Sequence, residues 1–391
     1  MRIVPCWWCA NCRDTAGAAD GLNRKQNIPS KVMKNPAREK LREPKATKRV
    51  RPKALSVLRK TAPRPPKRIL VPTDFSKGSS HALDYAVSFA KQFQSHLVLI
   101  HVVEAFPIDY LLGLKWSEEA NQWLMKQLRE RLGDVARRLT GARLGRGSVE
   151  TMVTFGKPFQ QIAKAAQARS VDLIILATHG YTGLKHIQLG STAERVVRYA
   201  PCPVLVVRAK ASSSAGVRSA SVTKTKVKVE RLNLRRILIP VDFSPRATEA
   251  LRYAVPIARR FHARIILLHV VHTNYFVTSD EYLAFDYPAL ISEMQGTAKK
   301  ELAMLADSVS KWCGVTTAME TGHPGNLIVE TSSKQNIDLI IMSTHGRTGI
   351  KRALLGSTAE FVVRHAHCTV LAVRDRKRSL TSAKIAFGEK S

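Results

Sequence analysis

Short, almost uninterrupted apolar runs alternate along this chain with segments whose apolar residues recur every three or four positions. Runs of the first kind fall near 68–73, 97–103, 149–154, 172–178 and 203–208. Continuous apolar stretches rich in Val and Ile suit strands that are covered on both faces. Segments of the second kind are Ser79–Phe93, about Trp116–Leu139, Phe159–Arg169 and Ser191–Tyr199, and their spacing predicts helices with one buried stripe. Strands alternating with helices in this way predict an α/β fold, a doubly wound parallel sheet of five strands.

The same pattern then returns. Arg68-Ile-Leu-Val-Pro-Thr-Asp74-Phe-Ser76 matches Arg236-Ile-Leu-Ile-Pro-Val-Asp242-Phe-Ser244, and Leu97-Val-Leu-Ile-His101 matches Ile265-Ile-Leu-Leu-His269. Asp172-Leu-Ile-Ile-Leu-Ala-Thr-His-Gly180 matches Asp338-Leu-Ile-Ile-Met-Ser-Thr-His-Gly346, and Leu189-Gly-Ser-Thr-Ala-Glu194 matches Leu355-Gly-Ser-Thr-Ala-Glu360. The offset is 168 at the aspartates and 166 at the glycines, so the second copy lacks a net two residues in between. A repeat of this length is a duplicated domain rather than a solenoid unit. The expected organisation is a basic disordered segment at 1–66, a first domain at 67–208, a basic linker at 209–235, a second domain at 236–374 and a basic tail at 375–391.

In doubly wound sheets ligands bind beyond the carboxyl ends of the strands, where strand order reverses. Three features of each copy fall there: Asp74 after the first strand, Val102 at the end of the second, and a glycine loop after the fourth. In the loop, Gly180 lets backbone N–H groups approach a ligand, and Gly190-Ser191 opens a helix. Ser191 is expected as its N-cap with Glu194 as capping-box partner. Free N–H groups and partial positive charge at such an entrance favour phosphate. The second copy offers His345, Gly346, Gly356, Ser357 and Glu360, with Arg347 as an extra cation. Asp74 and Asp242 suit either a ribose hydroxyl or adenine amino group, or an Asx-type cap of the next helix. His101 and His269, among apolar neighbours, read as packed side chains.

Charge changes the picture of the flanks only. Of the 391 residues, 63 are Lys or Arg and 30 Asp or Glu, net +33. Residues 1–66 carry +13, 209–236 carry +7 and 374–391 carry +4, while 237–373 carry only +1. Such segments are solvated spacers or attract polyanions without sequence specificity. No apolar run is long enough for a membrane span. Cys6, Cys9 and Cys12 form C-x-x-C-x-x-C without a fourth ligand nearby, so no metal site is assigned there. Met33 is an alternative start. Cys202, Cys313 and Cys368, isolated in apolar segments, read as buried thiols of a cytoplasmic protein.

The absences narrow the chemistry. There is no G-x-x-x-x-G-K-[ST] loop, no G-x-G-x-x-G fingerprint, no H-E-x-x-H and no G-x-S-x-G elbow. A binding module is therefore favoured over an enzyme, and no catalytic residue is assigned.

At these residues the sequence resembles the universal stress protein family in a tandem form, whose fold is adenine nucleotide alpha-hydrolase-like. The family's nucleotide-binding members carry G-2x-G-9x-G-[ST] after the fourth strand. Gly180 and Gly190-Ser191 fit its later part, as do Gly346 and Gly356-Ser357. The closing stretch Ala200-Pro-Cys-Pro-Val-Leu-Val-Val-Arg208 is similar to the family's last strand. The motif's first glycine is replaced by Ala177 and Ser343, where a Cβ would lie close to the nucleotide.

The resemblance implies that ATP, with or without Mg2+, binds Pro72, Asp74, Val102, Ala177, His179, Gly180, Gly190, Ser191 and Thr192. In the second copy it implies Pro240, Asp242, Val270, Ser343, His345, Gly346, Gly356, Ser357 and Thr358. It also implies pairing through the last strands, between the two copies or between chains. The resulting expectation is a stress-response protein that binds ATP as a signal. The alternatives are a slow ATPase or self-phosphorylating protein using Ser191 and Ser357, and a scaffold whose basic tails hold nucleic acid or acidic partners.

Overall fold

A computed structural model describes residues 65–104, 118–142, 144, 148–178, 189–208, 232–272, 287–344 and 355–374. Most of the basic flanks, Cys6, Cys9, Cys12 and Met33 lie outside the described residues, as do His179, Gly180, His345, Gly346 and Arg347.

The first copy runs β1 (Arg68–Pro72), α1 (Lys77–Phe93), β2 (His96–Val103), α2 (Glu118–Ala142), β3 (Val149–Phe155), α3 (Pro158–Ala168), β4 (Leu173–Ala177), α4 (Ser191–Tyr199) and β5 (Val204–Val207). The second runs β6 (Arg236–Pro240), α5 (Pro245–Phe261), β7 (Arg264–Val271), α6 (Tyr287–Ser310), β8 (Val315–Thr321), α7 (Pro324–Lys334), β9 (Leu339–Ser343), α8 (Ser357–His365) and β10 (Thr369–Val373). These are the alternating elements expected from the apolar pattern. The two-residue deletion now falls between β2 and β3, because β3 and β8 already stand at the shorter offset.

Local chemistry explains the ends of the helices. Ser76 and Ser244 cap α1 and α5 by accepting from the backbone N–H groups of Ser79 and Ala247. Gln94 and His262 close the same helices in the left-handed conformation. Pro158 and Pro324 open α3 and α7 at the first turn, where a missing N–H is harmless. Gly156 and Gly322, just before them, sit at φ 130° and 142°, conformations that side chains resist.

The ten strands among the described residues form one sheet in the order β3-β2-β1-β4-β5-β10-β9-β6-β7-β8. Pairing is parallel within each copy and antiparallel at one place, where Val204, Leu205 and Val206 face Ala372, Leu371 and Val370. The expected pairing of domains through their last strands is therefore realised inside one chain. Edge strands β3 and β8 are only half-buried, whereas Val204–Val207 of β5 and all of β10 are fully buried.

Side chains alternate between two continuous cores. α1, α2, α5 and α6 cover one face of the sheet and α3, α4, α7 and α8 the other, each core running across the seam. Phe261 of the second copy packs on Phe89 and Phe93 of the first, with centroids 5.4 and 6.3 Å apart. Phe89 is fully buried, and such a side chain contributes roughly 1.5–3 kcal/mol by leaving water, while the half-buried Phe93 and Phe261 contribute less.

Polar groups also cross the seam. Arg208, just after β5, donates to the carbonyls of Val363 and Arg364 at the end of α8, both at 2.6 Å. Reciprocally, Arg374, just after β10, donates to the carbonyls of Arg198 and Ala200 at the end of α4. Thr369 Oγ1 donates to Tyr85 Oη at 3.4 Å between buried side chains. A Tyr85→Phe variant should lose about 1 kcal/mol of stability, because Thr369 then keeps a buried hydroxyl without this partner. Adding Thr369→Val should recover most of that loss in denaturant unfolding, since no buried hydroxyl is then left behind.

Cys202 is buried as expected, but Cys313 and Cys368 are only half-buried. The sequence overstated their burial because Cys313 follows α6 in a surface turn and Cys368 leads into β10.

Candidate functional site

The chain travels β1, β2, β3 in one direction and then returns to place β4 on the far side of β1. The order therefore reverses between β1 and β4, and again between β6 and β9. That is where such sheets leave a crevice at the carboxyl ends.

Backbone bonds build the corner. Thr178 N donates to Val207 O, and Gly190 N donates to Thr178 O at 2.8 Å. The residue after β4 and the entrance of α4 are thereby fastened together, although the loop between them lies outside the described residues. Thr344, Val373 and Gly356 repeat the arrangement, with Gly356 N to Thr344 O at 2.8 Å. Gly190, Ser191 and Thr192 thus stand beside the end of β4, next to the end of β1.

The helix entrance differs from the expected capping box. Gly190 is the N-cap, at φ −62° and ψ 146°, and no side chain caps the helix. Ser191 is the first helical residue, and Glu194 lies one turn in, bonded to Arg198 at 3.2 Å and Arg364 at 2.9 Å. Gly356, Ser357 and Glu360 are placed alike. The serines fail as caps because the preceding glycines take the extended conformation that a cap requires. The consequence is a helix entrance whose N–H groups lack a side-chain acceptor among the described residues, as an anion site needs.

The strand-one ends are held by their own side chains. Asp74 Oδ1 accepts from Ser76 N at 3.0 Å, and Thr73 Oγ1 accepts from Phe75 N at 3.1 Å. Asp242 Oδ1 accepts from both the N–H and the hydroxyl of Ser244, at 3.0 and 2.6 Å. Each aspartate therefore forms the Asx turn that was one of its two readings. Between them Phe75 and Phe243 sit at φ 62° and 58°, a left-handed conformation uncommon for bulky residues. His101 and His269 brace this bend. Their Nδ1 atoms lie 2.8 Å from the carbonyl oxygens of Thr73 and Val241, and their rings lie 4.7 and 4.4 Å from Phe75 and Phe243. Both histidines are packed, structural groups.

Burial by itself would raise the Asp74 carboxyl, but hydrogen bonds from Ser76 and Ser79 outweigh it and hold it below the usual 3.8. A carboxylate with a lowered folded pKa contributes stability that is present above its unfolded value and is lost as pH falls through the folded one. An Asp74→Asn variant should therefore show a flatter dependence of unfolding free energy on pH below 3.8 than the parent chain.

The remaining candidates divide by face. Val102 and Val270 pack against the core beneath α3, α4, α7 and α8, and alternation puts Pro72 and Pro240 on that side. Ala177 packs against the opposite core, and Ser343 shares that orientation by alternation. The Cβ atoms that replace the motif's first glycine thus point away from the helix entrances at Gly190 and Gly356.

The sequence reading missed the seam around these helices. Arg198 lies 3.7 Å from Glu360, and Arg364 bridges Glu194 and Glu360 at 2.9 and 3.0 Å. The signal was present, since Glu194 and Glu360, Arg198 and Arg364, and Arg208 and Arg374 all recur at the same offset.

Two open parallel sheets, each with its reversal point at the strand ends and fused through the last strands, define a tandem protein of the adenine nucleotide alpha-hydrolase-like class. The chain belongs to the universal stress protein family, whose model matches residues 65–208 and again 233–374. It is 38% identical over 146 residues to a universal stress protein of Methanocaldococcus jannaschii, covering 37% of this chain and 84% of that relative. A second universal stress protein of that organism is 31% identical over 160 residues, covering 37% and 97%. Among solved structures, a functionally unknown protein of Pseudomonas aeruginosa PAO1 superposes with TM-score 0.57 at 21% identity, covering 84% of this chain and 99% of its own. A putative universal stress protein from Pseudomonas aeruginosa UCBPP-PA14 gives TM-score 0.55 at 20% identity, covering 84% and 100%. These two likenesses speak for the fold.

Proposed function

We propose that the chain is an adenine-nucleotide-binding stress protein that uses ATP as a signal, with one site at the strand ends of each copy. The observation that carries this reading is the uncapped helix entrance fastened beside the order reversal, present twice. In the reading, the N–H groups of Ser191 and Thr192 take the phosphates, and Gly190 leaves them room. Pro72, Asp74 and Val102 flank the base and ribose. Ser357, Thr358, Gly356, Pro240, Asp242 and Val270 do the same in the second copy. His179, Gly180, His345 and Gly346 complete the two glycine loops. Asp74 and Asp242 each commit one carboxylate oxygen to the Asx turn, and the other suits a ribose hydroxyl. Charge-assisted hydrogen bonds of roughly 1.5–3 kcal/mol each would hold a triphosphate without a lysine.

Isothermal titration of ATP into the full chain tests the reading. Saturable heat with up to two nucleotides per chain is expected. No heat with ATP, with or without Mg2+, would overturn it. Phosphate release in the same cell would move the reading toward a slow ATPase.

A further inference from the structure

We propose that the first copy carries a second ligand site, a hollow on the flank of α4 that takes a flat-ringed anion such as a compact aryl phosphate or carboxylate. The hollow measures about 500 Å³ and is lined by Phe159, Ser191, Glu194, Arg195, Arg198 and Tyr199. Its ring surfaces come from Phe159 on α3 and Tyr199 at the end of α4, with centroids 5.9 Å apart. The Arg195 guanidinium stands over the Phe159 ring, and Arg198 lines the same hollow.

The charges around this hollow do not cancel. Glu194 and Arg198 belong to the four-membered cluster with Glu360 and Arg364, which is neutral as a set. Arg195 is outside that cluster. Its guanidinium lies 5.3 Å over the Phe159 ring, and among the described residues it pairs with no carboxylate. One full positive charge, held over an aromatic face, is thus left for a ligand. A planar ring fits against Phe159 and Tyr199, and its anionic substituent meets Arg195 and the Ser191 hydroxyl.

Comparison within the chain shows that the first copy is specialised. Where the first copy has Phe159, Arg195 and Tyr199, the second has Gly325, Phe361 and His365. Phe361 stacks on His365 at 4.2 Å and lies so close over Gly325 that a Cβ there would come within 2.9 Å of its ring. In the second copy the aromatic ring projects from α8 and covers α7. In the first it projects from α3 instead, and a cation occupies the vacated position on α4. Packing alone is served by either arrangement, and only the first presents a cation.

The probes are phenyl phosphate, benzoate and inorganic phosphate, titrated calorimetrically into the full chain. Phenyl phosphate should bind once per chain, more tightly than inorganic phosphate. Benzoate binding equally well would make the carboxylate the source of the anion, and weaker binding would favour the phosphate. Arg195→Gln should weaken phenyl phosphate roughly tenfold or more. Phe159→Leu should weaken it too, while Arg138→Gln, which removes an exposed cation elsewhere, should leave it unchanged. Arg195 is exposed, so its variant is expected to fold, and an unaltered unfolding midpoint checks this. No binding of any probe, or binding indifferent to Arg195→Gln, overturns the proposal. So does binding that Arg195→Gln spares and a Gly190→Val/Gly356→Val variant abolishes, because the probe then sits at the strand ends.

Discussion

An Arg374→Gln variant should unfold at clearly lower denaturant concentration than the parent chain, with a loss of about 2–3 kcal/mol. Arg374 is 5% exposed, and its guanidinium is the group that satisfies the carbonyls of Arg198 and Ala200 at the end of α4. Hydrogen bonds to a charged donor contribute roughly 1.5–3 kcal/mol each, and buried carbonyls left unpaired cost about as much. Against this stands the desolvation of the cation. Burial pushes the pKa of the Arg374 guanidinium down to about 10, and removing the charge relieves that desolvation cost. The net loss is therefore smaller than the two hydrogen bonds taken alone. Gln is shorter and uncharged, so it cannot span both acceptors. Arg374→Lys should fall between, since an ammonium lacks the forked donors that reach two carbonyls. Arg208→Gln tests the reciprocal cap and should be milder, because Arg208 is only half-buried. If Arg374→Gln unfolds within about 0.5 kcal/mol of the parent, the crossed arginines are ornament and the seam rests on apolar burial alone.

The double variant Gly190→Val/Gly356→Val should lose ATP binding by at least about a hundredfold while keeping its fold. Gly190 and Gly356 take φ −62° and −64° with ψ near 145°, an extended conformation that valine adopts readily. The substitution therefore tests space and not backbone strain. A branched side chain at the helix entrance stands where a phosphate must approach the N–H groups of the first turn. Losing two or more charge-assisted bonds gives the stated factor. Titration calorimetry measures the affinity, and a thermal unfolding midpoint close to that of the parent confirms the fold. Unchanged affinity would remove the helix entrances from the site. Each single variant should abolish one of two binding events, which reads out the copies separately.

Much of the fold was legible from periodicity. The apolar runs became strands and the three-to-four spacing became helices, because strands covered on both faces admit little else than Val, Ile and Leu. The repeat exposed the duplication, and the strand-end positions of Asp74, Val102 and Gly190 marked the corner. The capping-box reading of Ser191 and Glu194 failed for an instructive reason. The motif permits two registers, and only the backbone conformation of Gly190 and the pull of Arg198 and Arg364 on Glu194 select between them. Likewise the Asx turn from Asp74 to Ser76 was one of two readings in the sequence, and the structure shows it while leaving the ligand role as a proposal.

By itself the sequence determined two α/β units, their internal order and their family, and it marked a candidate corner at the strand ends, because those follow from local spacing and from repetition. Only the tertiary structure decided that β5 and β10 pair antiparallel into one sheet and that Arg208 and Arg374 cap each other's helices. Those facts depend on contacts between residues 155 to 176 positions apart, and no local pattern records which partner a buried strand edge or a guanidinium will meet.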